Sequence, residues 1–432
     1  MSSQLIKDVS AYEVLDSRGN PTLATEITLS DKSSSISYVP AGASTGKYEA
    51  LEKRDFDKKR YNGRGVLKAV NVVNKEIRDL LVNLNPLDQK NIDFLLCQAD
   101  GTKNKSNFGA NSILGVSLAN LMVSAKSQQQ PLYQYLNLKS NEFFTADIEP
   151  KLPIPMMNIL NGGIHADNPI DFQEFMIQPL GFQTIKSSIR CGVEIYHQLK
   201  DILKKKKLNT CVGDEGGFGP ELSTPEEALD LIIQAIEMSG YKPGVEVFIC
   251  LDCASSEFFE KGKYLLRGME KSFSSIELVD YLGSLKSNYP ISSIEDGLDE
   301  DDWEGWKALT EKLGATTQLV GDDIFVSNSE RIKKGIDQNV ANSVLVKINQ
   351  VGTISEALEA VNLSKEHDYK PVISHRSGET EDTSIADICV GTGTGQIKTG
   401  APCRTERVAK YNRLMILEEK FNLRIAGDDE LR

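Results

Sequence analysis

The sequence between Phe248 and Lys398 repeats one pattern: a short apolar run, then a polar or charged side chain, then a stretch with helical periodicity. Six such runs end, in order, at Asp252, Glu295, Asp322, Lys347, His375 and Lys398. Apolar runs without alternation are typical of parallel strands that are buried on both faces. Most of the steps between runs are close to roughly 25 residues, the length of one strand plus one crossover helix. The pattern therefore predicts a β/α barrel.

The six residues that end these runs are expected to meet in one cleft, because the strands of a barrel open onto a common rim at their carboxyl ends. An aspartate in such a position can instead be the N-cap of the next helix. A lysine is a poor N-cap, because its charge opposes the positive end of the helix dipole. Since lysines occupy two of the six positions, the pattern favours a reactive cleft.

The first third of the chain has a different pattern. Strand-like alternation comes first and helical periodicity follows, over residues 6–16, 22–29 and 35–39 and then over 66–84, 89–98 and 110–125. We predict an α+β N-terminal capping domain at 1–138, a polar linker at 139–150 and a catalytic β/α barrel at 151–432. The barrel would begin with strands at 155–160 and 172–178.

Composition narrows the class of protein. The 432-residue chain carries a formal net charge of −13. Because no basic domain stands out, nucleic acid is not an expected partner. No apolar run approaches the roughly 18 residues that a membrane span needs. Seven scattered cysteines and a polar N-terminus without a signal-peptide pattern predict a reducing, cytoplasmic location.

The three acidic strand ends, Asp252, Glu295 and Asp322, offer only oxygen ligands. Such ligands suit Mg²⁺ or Mn²⁺ better than Zn²⁺, and the four histidines show no zinc-site spacing. The alternative is that these carboxylates form structural ion pairs with Lys347 and Lys398. The sequence favours a magnesium site at the barrel rim.

An acid and a base can be assigned to the same rim. Divalent cations and the neighbouring Lys398 would lower the pKa of Lys347 enough for it to act as a general base. Glu215 lies in the glycine-flanked segment 213–217, which is either an exposed turn or a rigid mount for an acid with a raised pKa. A base on one side and an acid on the other indicate a β-elimination.

Two further segments point to substrate binding. The segment 162–167 has glycine hinges around His165 and is typical of a mobile lid, although a single histidine can also be structural. The segment 374–379 brings together His375, Arg376 and Ser377, a combination that suits a phosphate group.

Taken together, long stretches of this chain resemble the enolase family from near residue 16 to near residue 412. The stretches that carry the resemblance lie at 16–21, 42–46, 173–176, 212–217, 251–258, 293–297, 320–323, 345–350, 374–379 and 407–412. The resemblance implies a β/α barrel behind a smaller α+β domain. It also implies the reversible dehydration of 2-phospho-D-glycerate to phosphoenolpyruvate, with two Mg²⁺ ions per active site. Residues 295–300 are closer to the bacterial members.

The resemblance also implies a role for each matching residue. The residues expected to bind metal are Asp252, Glu295 and Asp322 for the first Mg²⁺ and Ser44 for the second. Lys347 matches the base and Glu215 the acid, with Glu174 assisting. The residues expected to contact the substrate, several of them also catalytic, are His165, Gln173, Glu174, Lys347, His375, Arg376, Ser377 and Lys398.

Other implications concern assembly and alternatives. The resemblance implies a homodimer or an octamer, with a secondary cell-surface or secreted pool beside the cytoplasmic one. Ala41 replaces a serine that is usual in the family, and activity is expected to survive because the role of Ser44 uses its main chain. A racemase or cycloisomerase of the same superfamily is the nearest alternative, but the strand at 172–178 lacks its Lys-x-Lys motif. A non-catalytic binding protein on this fold is a second alternative.

Overall fold

The computed structural model describes residues 4–43 and 46–431. Its N-terminal part is an antiparallel sheet of three strands in sequence order, packed against helices. The strands and α-helices of this part are β1 (Ile6–Leu15), β2 (Pro21–Leu29), β3 (Ser34–Tyr38), α1 (Leu67–Val72), α2 (Arg78–Leu81), α3 (Gln89–Asp100), α4 (Ala110–Ser127) and α5 (Leu132–Leu138). The central helix α4 packs on β2 and β3 and is buried on nearly all sides, as expected for a helix whose apolar residues surround it.

The helix predicted at 66–84 is interrupted. A π-helical turn, Val73–Ile77, separates α1 from α2. Within this turn, Asn74 Oδ1 accepts a hydrogen bond from the main-chain N–H of Ala11 at 2.7 Å, and its Nδ2 donates to the carbonyl of Ala11 at 3.2 Å. The asparagine thus pairs the outer edge of β1, where main-chain groups would otherwise lack partners.

The C-terminal part is a closed eight-stranded barrel, which confirms the predicted fold class. Its strands are β4 (Ile154–Asn161), β5 (Glu174–Pro179), β6 (Val247–Asp252), β10 (Ile291–Glu295), β11 (Gln318–Gly321), β12 (Ser343–Val346), β13 (Lys370–Ser374) and β14 (Gln396–Lys398). The surrounding helices are α6 (Ile185–Lys205), α7 (Pro225–Met238), α8 (Ser275–Asn288), α9 (Trp303–Leu313), α10 (Ser329–Gln338), α11 (Ile348–Val351), α12 (Ile354–Glu366), α13 (Ser384–Gly391) and α14 (Thr405–Phe421).

One barrel strand runs against the others. β5 is antiparallel to both β4 and β6, whereas the other neighbouring pairs are parallel. The expectation that every strand would present its carboxyl end at the rim is therefore wrong for β5. Because this strand is reversed, its first residue, Glu174, lies at the rim beside Asp252, its register partner on β6.

The longest step in the repeat has a structural explanation. Between β6 and α8 lies a small antiparallel sheet of β7 (Phe259–Glu260), β8 (Lys263–Leu266) and β9 (Lys271–Phe273). This insertion is why the step from Asp252 to Glu295 exceeds one strand plus one helix. Further along the barrel, α7 begins with a reciprocal capping box that Thr224 and Glu227 form.

The barrel interior is built in layers, because successive strand residues point to opposite faces. A buried apolar layer fills the middle and consists of Met156, Met176, Cys250, Val320, Leu345 and Val372. Two residues further toward the rim on each of these strands lie the polar side chains Asn158, Glu174, Asp252, Asp322, Lys347 and Ser374. The alternation within single strands therefore places the reactive groups at the mouth of the barrel, and the apolar layer closes the barrel beneath them.

None of the described helices combines the length and apolar character that crossing a bilayer requires. All seven cysteines are free thiols.

Candidate active site

A cavity of about 410 Å³, including its open mouth, lies at the barrel rim. Eleven of the residues singled out in the sequence line it: His165, Gln173, Glu174, Glu215, Asp252, Asp322, Lys347, His375, Arg376, Ser377 and Lys398. Glu295 lies at its floor and contacts the ammonium group of Lys398. Ser44 is outside the described residues. Side chains up to 233 residues apart in sequence, from His165 to Lys398, thus meet at one site, as the strand-end pattern predicts.

Lys398 reaches across the mouth from β14 to the opposite strands. Its Nζ lies 3.0 Å from Asp252 Oδ2, 2.8 Å from Glu295 Oε1 and 3.2 Å from Glu174 Oε1. These three carboxylates adjoin one another because Asp252 is the register partner of both glutamates. Burial favours the neutral amine, but the carboxylates, led by Asp252, hold the pKa of Lys398 well above its usual value.

Lys347 forms the second ion pair of the site, with Asp322. Burial alone would lower the pKa of Lys347, yet Asp322 raises it, against the opposing charges of Arg376 and Lys398. The lowered pKa that is expected for Lys347 beside divalent cations stays a prediction. The raised pKa has its cause in the ion pair with Asp322, which favours the charged amine.

The cavity holds more negative than positive groups. Seven carboxyl groups, from Glu174, Glu215, Asp252, Glu295, Asp296, Asp322 and Asp323, face three basic side chains, those of Lys347, Arg376 and Lys398. Burial and the neighbouring carboxylates raise the pKa values of Glu295, Asp296 and Asp323 well above their usual range. An anionic ligand would add to this repulsion, so the donor set suits the binding of additional cations.

The carboxylates can also supply hard-cation ligands. Among the described residues, the oxygens of Asp296, Asp322 and Asp323 lie within 4.8 Å of one another, and so do the ligand atoms of His165, Glu174 and Glu215. The oxygen-only group matches the preference of Mg²⁺. The predicted set Asp252, Glu295 and Asp322 is not one of these two groups, because Lys398 lies between its first two members and Lys347 pairs with the third.

The opposite wall carries a buried pair of glutamates. His165 Nδ1 lies 3.7 Å from Glu174 Oε1 and 3.9 Å from Glu215 Oε1. Burial and the charge of Glu215 raise the pKa of Glu174 well above its usual value. Burial also opposes ionisation of Glu215, but His375 and His165 hold the pKa of that carboxyl below its usual range. The expectation of a raised pKa is thus wrong for Glu215, and within this pair the raised pKa belongs to Glu174.

The loop at 374–379 is engaged by the N-terminal part of the chain. Arg376 Nη1 lies 3.0 Å from Glu49 Oε2 and donates to Asn349 Oδ1 at 3.1 Å. Ser377 Oγ accepts the main-chain N–H of Ala43 at 2.6 Å. These contacts place the predicted phosphate-binding side chains at the cavity wall and connect them to the loop that contains Ala43.

Ala41 contacts the same loop through its main chain. Its N–H donates to the carbonyl of Gly378 and its carbonyl accepts from the N–H of Gly378, both at 2.8 Å. A serine hydroxyl is not needed for this pairing, which agrees with the expectation that alanine is tolerated at position 41.

The segment 162–167 packs against the loop that carries Glu215. His165 is 5 % exposed and lines the cavity. The N–H of Asp214 donates to the carbonyl of His165 at 3.1 Å, and a Cβ at Gly213 would lie 2.3 Å from that oxygen. A glycine at 213 is therefore required for close approach of the two segments. The mobility predicted for 162–167 stays a prediction.

Sequence reasoning missed several polar residues of the site. Asn158 Nδ2 donates to Glu215 Oε2 at 3.1 Å. Gln350 Nε2 donates to Asp322 Oδ1 at 3.0 Å and to Glu49 Oε1 at 3.2 Å. Asn158 could have been predicted from the strand alternation, because it lies two residues after the buried Met156 on β4. Glu49 and Gln350 lie outside the strands, so no such alternation pointed to them.

Comparison with family models covers most of the chain. The model described as "Enolase, N-terminal domain" matches residues 6–136, and the model described as "Enolase, C-terminal TIM barrel domain" matches residues 149–429.

Proposed function

The chain belongs to the enolase family, and from that premise we propose that it reversibly dehydrates 2-phospho-D-glycerate to phosphoenolpyruvate, with two Mg²⁺ ions per active site. The observation that carries the proposal is the composition of one cavity: a buried lysine on one wall, a buried glutamate pair on the other, and excess carboxylates between them. This arrangement supports removal of a proton at one carbon and departure of hydroxide from the next.

Lys347 is proposed as the base that removes the proton from C2 of the substrate. It must first lose its own proton, which the ion pair with Asp322 opposes. Arg376 and Lys398 both lower the pKa of Lys347, so weakening of the Asp322 contact would release the amine. Lys398 would then stabilise the negative charge that develops on the substrate carboxylate.

Glu174 and Glu215 are proposed to supply the proton that leaves with the C3 hydroxyl group. The pKa of Glu174 is raised, which favours its protonated form, and Asn158 and His375 lie against Glu215. His165 and Gln173 line the same wall and are proposed to orient the leaving group.

Metal and anion binding are proposed on the remaining residues. Asp252, Glu295 and Asp322 are the proposed ligands of one Mg²⁺, and Ser44 belongs to the second site. When bound, Mg²⁺ would supply positive charge next to the carboxylate and phosphate of the substrate. Arg376 and Ser377 are proposed to hold the phosphate, with His375 behind them.

We also propose the division into domains at 1–138 and 151–432 with the linker 139–150. A homodimer or octamer, a cytoplasmic location with a secondary cell-surface or secreted pool, and a bacterial type remain proposals from the family resemblance.

The test is the Mg²⁺-dependent formation of phosphoenolpyruvate from 2-phosphoglycerate, followed by its ultraviolet absorbance. Activity is expected with Mg²⁺ and is expected to disappear with EDTA. Lys347→Ala is expected to reduce kcat by well over tenfold, because it removes the base. A folded Lys347→Ala protein that retains more than a tenth of the wild-type kcat would contradict this assignment. Failure of the wild-type protein to turn over 2-phosphoglycerate would favour another superfamily reaction or a binding role.

A further inference from the structure

Arg407 is a fully buried arginine on α14, directly behind the glutamate wall of the cavity. Burying a guanidinium is costly unless its N–H groups find partners. Its Nη1 contacts His375 Nδ1 at 2.6 Å and donates to the carbonyl of Arg376, while its Nη2 donates to the carbonyls of Asp214, at 3.1 Å, and Ser377. The ion-pair contact to Glu406 Oε1 is longer, at 3.5 Å from Nε. Arg407 is thus bound mainly by main-chain oxygens and one imidazole.

The contact with His375 determines the tautomer of that imidazole. A guanidinium nitrogen can donate a hydrogen bond but cannot accept one. His375 Nδ1 must therefore be the acceptor, which leaves the ring proton on Nε2. This Nε2 lies 3.3 Å from Glu215 Oε2. The angle between the two groups departs from that of a hydrogen bond, and among the described residues no other acceptor is aligned with Nε2. The ring thus presents a donor to the acidic wall.

The other contacts of Arg407 connect two loops. Asp214 directly precedes Glu215, and Arg376 and Ser377 belong to the proposed phosphate-binding loop. One side chain therefore sets the distance between the loop that carries the acid and the loop that carries the anion site. Catalytic groups lose much of their effect when such distances change by about 1 Å.

We propose that Arg407 is a positioning residue that holds His375 as the neutral Nε2–H tautomer and so presents an N–H donor to Glu215. The N–H group of His375, 3.3 Å from Glu215 Oε2, then favours the ionised form of that carboxyl group. The catalytic consequence rests on the proposed function, because it assumes that Glu174 and Glu215 act on the leaving hydroxyl group. The tautomer assignment is independent of that function.

The charged groups that face His375 agree with a neutral ring. Glu215 lies in front of it, Arg407 lies behind it, and Glu379 acts on it from its own loop. Glu379 is compensated by Lys410, whose Nζ lies 2.8 Å from Glu379 Oε2. Burial, together with Arg407 and against the charge of Glu215, lowers the pKa of His375 to about 4.

The first test uses the wild-type full-length chain. Histidine labelled with ¹⁵N would give imidazole spectra of only four residues, and His375→Gln would identify the signals of His375. The expected result is a neutral ring with its proton on Nε2 from about pH 5.5 to pH 8, where an ordinary histidine titrates. A proton on Nδ1, or an imidazolium in this range, would overturn the proposal whether or not any variant folds.

The second test removes the donor. Arg407→Met keeps an unbranched side chain without hydrogen-bond donors, and His375 is then expected to populate both tautomers and to titrate closer to its ordinary pKa. The expected kinetic effect is a loss of kcat of at least tenfold with a change in KM below about threefold, because the substrate-binding side chains remain. Arg407→Lys, which keeps a donor, is expected to retain the Nε2–H tautomer and to recover part of kcat.

Arg413→Met is the matched control. Arg413 lies on the same helix, and its guanidinium pairs with Asp387 at 2.6 and 2.7 Å instead of with the cavity wall. This variant is expected to leave the His375 signals and kcat unchanged. A folded Arg407→Met protein with wild-type His375 spectra would refute the positioning role. Wild-type spectra as expected, combined with an absence of 2-phosphoglycerate turnover, would instead refute the proposed function and leave the tautomer assignment intact.

Discussion

Replacing Lys398 by methionine should destabilise the ligand-free protein and make its stability depend more strongly on Mg²⁺. The ammonium group of Lys398 is the shared partner of Asp252, Glu174 and Glu295, at 2.8 to 3.2 Å, and its side chain is 3 % exposed. Methionine has a comparable length but no charge. The substitution would therefore leave three buried carboxyl groups without this cation while changing the packing little.

The size of the loss in the free energy of unfolding follows from the burial of the three carboxyl groups that Lys398 contacts. Removing one member of a buried ion pair costs about 3–5 kcal/mol, because the other charge stays buried without compensation. The three carboxylates do not multiply this cost, since Glu174 and Glu295 already have raised pKa values and can take up protons instead. We therefore expect a loss of about 3–5 kcal/mol in the free energy of unfolding rather than three times that amount.

The loss should depend on pH with a definite sign. Lys398 lowers the pKa values of Glu174 and Glu295 in the folded protein, against the effect of burial. Without the lysine, the folded protein holds protons on these groups at pH values where the unfolded chain has released them. Stability then falls as pH rises, so the destabilisation should be larger at about pH 8 than at about pH 5.5.

Urea unfolding in EDTA and in Mg²⁺ measures this effect. Mg²⁺ is expected to recover more stability in Lys398→Met than in the wild type, because a ligand that binds only the folded state stabilises it in proportion to its affinity. Lys103→Met is the control, since Lys103 pairs with Glu330 at the surface with side chains 80 % and 73 % exposed, and it should change stability little. Identical unfolding of Lys398→Met and the wild type in EDTA would refute the electrostatic account of the site.

Two other substitutions test features outside the ion-pair network. Burial raises the pKa of Asp93 to about 6, whereas the unfolded chain releases this proton near pH 4. The free energy of unfolding should therefore fall by about 3 kcal/mol as pH rises from about 4 to about 6. Urea unfolding at several pH values should show this slope for the wild type and not for Asp93→Asn. A wild-type slope in the variant would contradict the assignment. Gly213→Ala would place a Cβ 2.3 Å from the carbonyl oxygen of His165, so kcat/KM should fall by about tenfold or more as His165 shifts. Gly219→Ala is the control and should reduce kcat/KM less, because its Cβ would meet only the side chains of Ala166 and Asn168. Steady-state kinetics that rank the two variants in the opposite order would contradict this prediction.

The barrel was predictable because its strands are buried on both faces. Such strands appear in the sequence as short continuous apolar runs, and the residue that ends each run could be assigned to the rim without knowledge of the structure. The direction of β5 was not predictable from its own residues, because a buried antiparallel strand has the same apolar pattern. A signal was available in the connection: residues 162–173 between β4 and β5 number about a dozen, the shortest length that allows a parallel crossover.

The protonation states could not be predicted, because they depend on which neighbours meet in three dimensions. The sequence shows that Glu174 and Glu215 are acidic, but only their neighbours in the folded protein decide which of them has the raised pKa. The same holds for Lys347, whose pKa is raised by its contact with Asp322. Arg407 was visible only as part of a family-like stretch, since a helix far along the chain gives no hint of the carbonyls that it contacts.

The excess of carboxylates explains both the ion pairs of the site and its proposed binding of cations. Seven acidic groups against three basic ones are unfavourable in a buried cavity, and Lys347 and Lys398 reduce that cost by pairing with Asp322 and with Asp252 and Glu295. Cations that bind the same carboxylates must displace these lysine contacts. Under the proposed function, metal binding and release of the lysines would be one equilibrium, and replacing either lysine should raise metal affinity at the expense of stability without metal.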